Sequence, residues 1–96
     1  MLVLIAYDVN TETKEGKKRL RQVAKQCVNY GQRVQNSLFE CLLNPTQFVE
    51  LKNRLENIVD ATKDSLRYYN LGKNWNNRVE HFGAKPSYNP EGFLNV

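Results

Sequence analysis

Residues Leu2 to Val9 form an almost wholly apolar run that carries a single carboxylate, Asp8, at its far end. A run this short and this apolar, closed by Asn10-Thr11, predicts a buried central strand. Such a strand needs a neighbour on each side and cover on at least one face. Asp8 shares its face with Leu2, Leu4 and Ala6, so the acid sits at the carboxyl end of the strand. Tyr7 falls on the opposite face and reads as core.

A second extended segment, Gln32 to Leu43, carries Arg33, Gln35, Asn36 and Ser37 where a core strand would carry hydrophobes. Its alternation breaks around Asn36-Ser37, which predicts a bulge or kink dividing it into two strands. Between the two extended segments, Leu20, Val23, Ala24 and Cys27 recur at helical spacing. Thr11 or Thr13 can cap that helix, and Gly31 suits a left-handed position after its end. Asn44-Pro45-Thr46-Gln47 is a clear helix start, with Asn44 as the cap, Pro45 in the first turn and Gln47 completing a capping box. Phe48, Leu51, Leu55, Ile58 and Val59 form the apolar stripe of this second helix. Ser65 to Leu71 reads as a further strand, Gly72-Lys73-Asn74 breaks it, and Arg78 to Phe82 adds a short last one. The order is that of a split β-α-β unit. It predicts an α+β, ferredoxin-like sandwich (β-α-β-β-α-β plus a short extra strand) over residues 1–83, followed by an irregular tail over 84–96. Helices then cover one sheet face, and the other meets solvent, a ligand or a second copy.

The chain has 96 residues, enough for one domain with little surplus stability, so self-association is a natural way to bury more surface. Its net charge of +4 is unevenly spread: Lys14, Lys17, Lys18, Arg19, Arg21 and Lys25 gather six of the 14 Lys and Arg residues in one short stretch. Clustered cations favour phosphate-rich partners, although a solvated helix face explains the same run. Cys27 and Cys41 lie far from any C-x-x-C spacing and read as buried reduced thiols, not zinc ligands. The opening run has neither a basic flank nor a cleavage site, and no stretch is long enough to span a bilayer. A cytoplasmic protein without a membrane partner is expected.

A carboxylate at a strand end is well placed for Mg²⁺, which takes hard oxygen ligands, keeps several waters and often uses only one or two carboxylates. One Asp8 makes a weak site; two copies across a twofold axis make a credible one. Alternatively Asp8 only hydrogen-bonds the turn that follows it. If the polar segment stays regular through Asn36, then Arg33, Gln35, Ser37 and Phe39 share one side of it. There Arg33 can grip a phosphate, Ser37 can position a water or phosphate oxygen, and Phe39 can wedge against a base or a partner subunit. An exposed polar strand that pairs in a dimer accounts for the same residues. His81, the only histidine, has no carboxylate or second His nearby in sequence and reads as structural or exposed.

These landmarks resemble the small CRISPR-associated protein that works beside the spacer integrase, the Cas-two family. They are the apolar strand ending Tyr7-Asp8-Val9, the Arg19 and Arg21 pair, and Arg33-Val34-Gln35-Asn36-Ser37-Leu38-Phe39. Leu71-Gly72-Lys73-Asn74-Trp75 is similar to the variety that accompanies type I-C systems. The resemblance implies a homodimer whose two Asp8 side chains share a divalent metal, Mg²⁺ or Mn²⁺. It implies an endonuclease for single-stranded RNA or double-stranded DNA, with Asp8 as metal ligand and catalytic residue and Arg33, Ser37 and Phe39 in catalytic support. Lys17, Lys18, Arg19, Arg21 and Arg33 would hold nucleic acid, and the tail would dock on the dimer mate or on integrase dimers during spacer acquisition in antiviral defence. Two other readings stand beside it: a non-catalytic DNA-bridging adaptor of the integrase, and a toxin-like ribonuclease relative.

Overall fold

The computed structural model describes residues 1–71 and 79–84. Seven elements follow in order: β1 (Leu2–Asp8), α1 (Lys14–Tyr30), β2 (Gly31–Gln35), β3 (Leu38–Leu42), α2 (Pro45–Ile58), β4 (Ser65–Asn70) and β5 (Val79–Gly83). The five strands form one sheet in the order β2-β3-β1-β4-β5, with each neighbouring pair antiparallel. This is the expected ferredoxin-like arrangement, extended at the β4 edge by β5. Of the tail expected over 84–96, only Ala84 falls within the described residues, and Gly72 to Trp75 lie outside them.

The apolar run occupies the centre of the sheet, where both of its edges are hydrogen-bonded. β1 pairs with β3 from Leu2↔Leu42 to Ala6↔Leu38 and with β4 from Val3↔Asn70 to Asp8↔Ser65. Val3, Ile5 and Tyr7 lie buried with Val23 and Cys27 of α1 and Leu51 and Leu55 of α2, so both helices cover the same face. Leu2, Leu4, Ala6 and Asp8 alternate onto the other face.

Each helix starts where its sequence says. Thr13 caps α1, its Oγ1 accepting from the Gly16 N–H at 3.0 Å. Gly16 must be glycine for space: a Cβ there would lie 1.9 Å from the Asn10 carbonyl oxygen, so a side chain would push α1 off the β1–α1 loop. The Asn44 Oδ1 accepts from the Gln47 N–H at 2.8 Å while the Gln47 Oε1 accepts from the Asn44 N–H at 3.0 Å. This closes the capping box of α2. Leu51 and Leu55 are fully buried, and Phe48, Ile58 and Val59 pack on the same core.

Two expectations are corrected. Gly31 is not left-handed; its φ of −161° is extended, and α1 passes straight into β2. Glycine is needed there for close approach, since a Cβ would come within 2.4 Å of the Cys41 Sγ and 2.5 Å of the Glu40 oxygen. The second concerns the polar segment: it does divide into two strands at Asn36-Ser37, as expected, but through a hairpin turn preceded by a register shift between Arg33 and Gln35. Arg33 therefore opposes Phe39 on the helix side, whereas Gln35 opposes Leu38, so Arg33, Gln35, Ser37 and Phe39 do not share one face. The two cysteines are free and buried, and burial pushes their thiols up to about 12 for Cys27 and about 11 for Cys41. Among the described residues no helix is long and apolar enough to cross a membrane.

Candidate functional site

Asp8, the last residue of β1, is exposed on the face that carries no helix. Along the preceding residues runs a groove of about 630 Å³ lined by Ala6, Tyr7, Gln35, Asn36, Ser37 and Leu38. A second groove of about 280 Å³ lies on the α1 side and is bordered by Tyr7, Arg21, Arg33, Asn36 and Ser37. The Asn36–Ser37 turn thus forms a common wall between them.

Four side and main chains hold that turn against the end of β1. The Ser37 carbonyl accepts from the Tyr7 N–H at 3.1 Å. The Asn36 carbonyl accepts twice, from the Tyr7 hydroxyl at 3.2 Å and from the Arg33 Nη1 at 2.8 Å. Underneath, the Phe39 ring stacks on Tyr7 at 6.0 Å between centroids and lies 5.0 Å from the Arg33 guanidinium. Burial raises the Tyr7 hydroxyl pKa, helped by Cys27 and opposed by Arg33, so the group stays a donor. Ser37, exposed, is brought to the same end of the sheet as Asp8.

Phe39 is fully buried, and this corrects its expected role as a wedge: it has no surface to offer a base or a partner. Its place on the helix side follows from its pairing opposite Ile5, which is itself buried beneath the helices. Arg33 remains exposed and borders the smaller groove, with one guanidinium N–H committed to the turn.

Arg19 is also corrected. Lys14, Lys17, Lys18, Arg21 and Lys25 are exposed along α1, but Arg19 turns inward onto Asp64. Its Nε donates to Oδ2 at 2.7 Å and its Nη2 to Oδ1 at 3.3 Å. Asp64 has no exposed surface and receives two further donors, the Asn10 N–H at 2.9 Å and the Asp60 N–H at 2.9 Å. A guanidinium bound in this way is not available to phosphate. Asp64 is inconspicuous in the sequence, where it is one of several acids in a polar stretch; its one signal is its position directly before a buried strand.

Among the described residues no group of three or more His, Cys, Asp and Glu side chains converges on one point. His81 is half-buried with its Nε2 3.2 Å from the Gly83 carbonyl, a strand-edge role. The carboxylate that a divalent ion would find exposed at the open end of β1 is Asp8. That donor fits Mg²⁺, which tolerates few protein ligands, when a second copy supplies the other.

The charge on Asp64 makes stability pH-dependent in a defined direction. Burial opposes its ionisation, but Arg19 and the two backbone N–H groups outweigh it and hold the carboxyl below the usual range. A depressed folded pKa contributes stability above the unfolded value, about 3.9, and loses it as pH falls through the folded value. Melting temperature should decline below about pH 4, more steeply in the wild type than in Asp64→Asn. Equal acid limbs in the two proteins would assign the loss to other carboxylates.

Comparison with known proteins fits this geometry. Residues 1–79 match the family model of the CRISPR associated protein Cas2. The CRISPR-associated endoribonuclease Cas2 of Nitratidesulfovibrio vulgaris is 59% identical over 94 residues, covering 98% of this chain and 92% of the relative. The CRISPR-associated endonuclease Cas2 of Halalkalibacterium halodurans is 59% identical over 91 residues, with 95% of both chains covered. The crystal structure of Streptococcus pyogenes Cas2 at pH 6.5 superposes with a TM-score of 0.71 at 64% identity, over 83% of this chain and 96% of that one. A strand-end acid on an open sheet face, within a fold and sequence shared this closely, places the chain in the Cas2 family.

Proposed function

We propose that this chain is a metal-dependent endonuclease of CRISPR spacer acquisition, active as a homodimer in the cytoplasm. The observation that carries the reading is Asp8: an exposed carboxylate at the open end of the central strand, beside a groove, in a chain whose described residues offer no complete metal site. The names of the relatives, endoribonuclease and endonuclease, support a phosphodiester substrate in either nucleic acid. Likeness around Leu71 to Trp75 favours a type I-C system, and the family resemblance as a whole favours integrase dimers as partners.

Asp8 is the residue that would hold Mg²⁺ or Mn²⁺, jointly with its copy across the dimer axis. Such an ion, when bound, supplies activated water and neutralises charge developing on the phosphate. Ser37, fixed through its own carbonyl, orients a water or a phosphate oxygen beside Asp8. Tyr7, Arg33 and Phe39 keep the Ser37 turn in place. Lys17, Lys18 and Arg21 on the exposed face of α1 hold the backbone common to RNA and DNA.

The exposed basic face also favours a second reading, a non-catalytic adaptor that bridges duplex DNA to the integrase. One experiment separates the two. Asp8→Asn keeps the side chain's shape and removes its charge, so cleavage of single-stranded RNA or duplex DNA should drop by at least about 100-fold, with duplex affinity retained. Undiminished metal-dependent cutting would return Asp8 to a turn residue. Loss of spacer acquisition only when the basic face is changed would favour the adaptor.

Two further outcomes follow from the surfaces. Light scattering at micromolar concentration should give twice the monomer mass; a monomer would end the shared-metal arrangement. Arg21→Ala should lower the slope of log affinity against log salt by about 1, whereas Arg19→Ala should leave the slope unchanged and lower the melting temperature. A flattened slope in Arg19→Ala would mean that Arg19 leaves Asp64 for the nucleic acid.

A further inference from the structure

We infer that Asp64 and Arg19 together are a positioning device for Asp8, with no contact of their own to nucleic acid. The inference rests on the nuclease reading of Asp8. Asp8 is opposite Ser65 in the β1–β4 ladder, and Asp64 is the residue before Ser65. The same carboxylate that leads into β4 takes the N–H of Asn10, two residues beyond Asp8, at 2.9 Å. Asp8 is therefore held on the strand side by its ladder partner Ser65 and on the loop side through Asn10, and the buried Asp64 side chain ties that loop to the residue that leads into Ser65.

Arg19 completes the device from α1. Its Nε and Nη2 reach different oxygens of Asp64, which fixes the carboxylate plane and not merely its location. Gly16 leaves no room for a Cβ beside the Asn10 carbonyl, so the first turn of α1 lies close against the same loop. The chain beyond is tied in too, since Gly83 (φ +122°) packs on the Asp64 carbonyl and the Ala84 N–H donates to it at 2.9 Å. Arg19 lies between Lys18 and Arg21 on α1, so the device also sets the position of the phosphate-binding face relative to Asp8. Loosening it should leave both surfaces intact and misalign them. Displacements of about 1 Å can cost about 100-fold in rate, and weakened support around a metal ligand typically costs 10–100-fold in metal affinity or activity.

The test compares wild type, Asp8→Asn, Asp64→Asn, Arg19→Ala and Arg19→Lys, each at a temperature where circular dichroism shows it folded. Asp64→Asn and Arg19→Ala should lower kcat by about 10–100-fold while KM and the salt slope stay at wild-type values. Arg19→Lys, which keeps the charge but not the two-pronged contact, should recover part of the loss; it carries the test if Asp64→Asn does not fold. Mn²⁺ affinity, read by electron paramagnetic resonance without substrate, should fall about tenfold in Arg19→Ala. Wild-type kcat and Mn²⁺ affinity in the folded Arg19 variants would overturn the inference, as would a raised KM with a flattened salt slope, which would put Arg19 on phosphate. If wild type does not cut, or Asp8→Asn cuts equally well, the nuclease reading fails, and Mn²⁺ affinity still decides the positioning role. Absence of Mn²⁺ binding by the wild type would overturn both.

Discussion

A carboxylate with no exposed surface is tolerated only where its charge is matched and its oxygens are hydrogen-bonded. Asp64 meets that condition with four donors drawn from three places: the loop after β1, the end of α2, and the middle of α1's basic run. None of these segments satisfies the group alone. They must converge at the β1 carboxyl end for the charge to be buried at all, so the arrangement there is specified sharply, whatever the net stability gained. Apolar packing beneath the sheet is less demanding: Val3, Ile5, Leu51 and Leu55 would accept small shifts that a two-pronged ion pair would not.

Local signals made most of the fold legible. The capping box at Asn44 and Gln47 is complete within four residues, and the stripe from Phe48 to Ile58 needs only one helix to be seen. The apolar run of β1 announces a central strand because no edge position could use it. What the sequence concealed depended on partners far along the chain. Arg19 and Asp64 are 45 residues apart, so a basic run reads as uniformly exposed until one member is seen to turn inward. Arg33 and Phe39 would share one side of a strand that stayed regular through Asn36; they do share a face, but across a hairpin and on the core side. The register shift between Arg33 and Gln35 changes the face of everything after it, and a glycine-free stretch of mixed polarity gives no hint of its direction. Gly31 shows the same limit from another side. Its need is for room beside Cys41, which only the β2–β3 pairing creates.

The residues expected to perform chemistry accordingly separate by depth. Asp8, Ser37, Arg21 and the lysines of α1 are exposed at the end of the sheet or along α1. Phe39 and Arg19 lie one step behind them, and Arg33 stands between, its guanidinium both on the turn and at the smaller groove. Residues in the rear position can be as indispensable as those in front, because loss of Phe39 would remove the support shared by Tyr7 and Arg33. The Asn36 carbonyl, which accepts from both, would then lose its fixed place.

The two aspartates at this end of the sheet make the underlying principle plain. Asp8 and Asp64 have the same side chain and lie near adjacent ladder positions, yet one points to the open face and the other into the junction of three segments. Buried and surrounded by donors, Asp64 has no capacity left for a ligand. Asp8 keeps access to solvent because no helix covers its face, and access is what a metal or a phosphate requires. A one-layer cover of helices is thus both the weakness of so small a domain and the source of its site. In the proposed homodimer a second copy would cover the face left open by Leu2, Leu4 and Ala6 and bring its own Asp8 to the same strand end. Burial of apolar area and completion of a two-carboxylate site are then satisfied by one association.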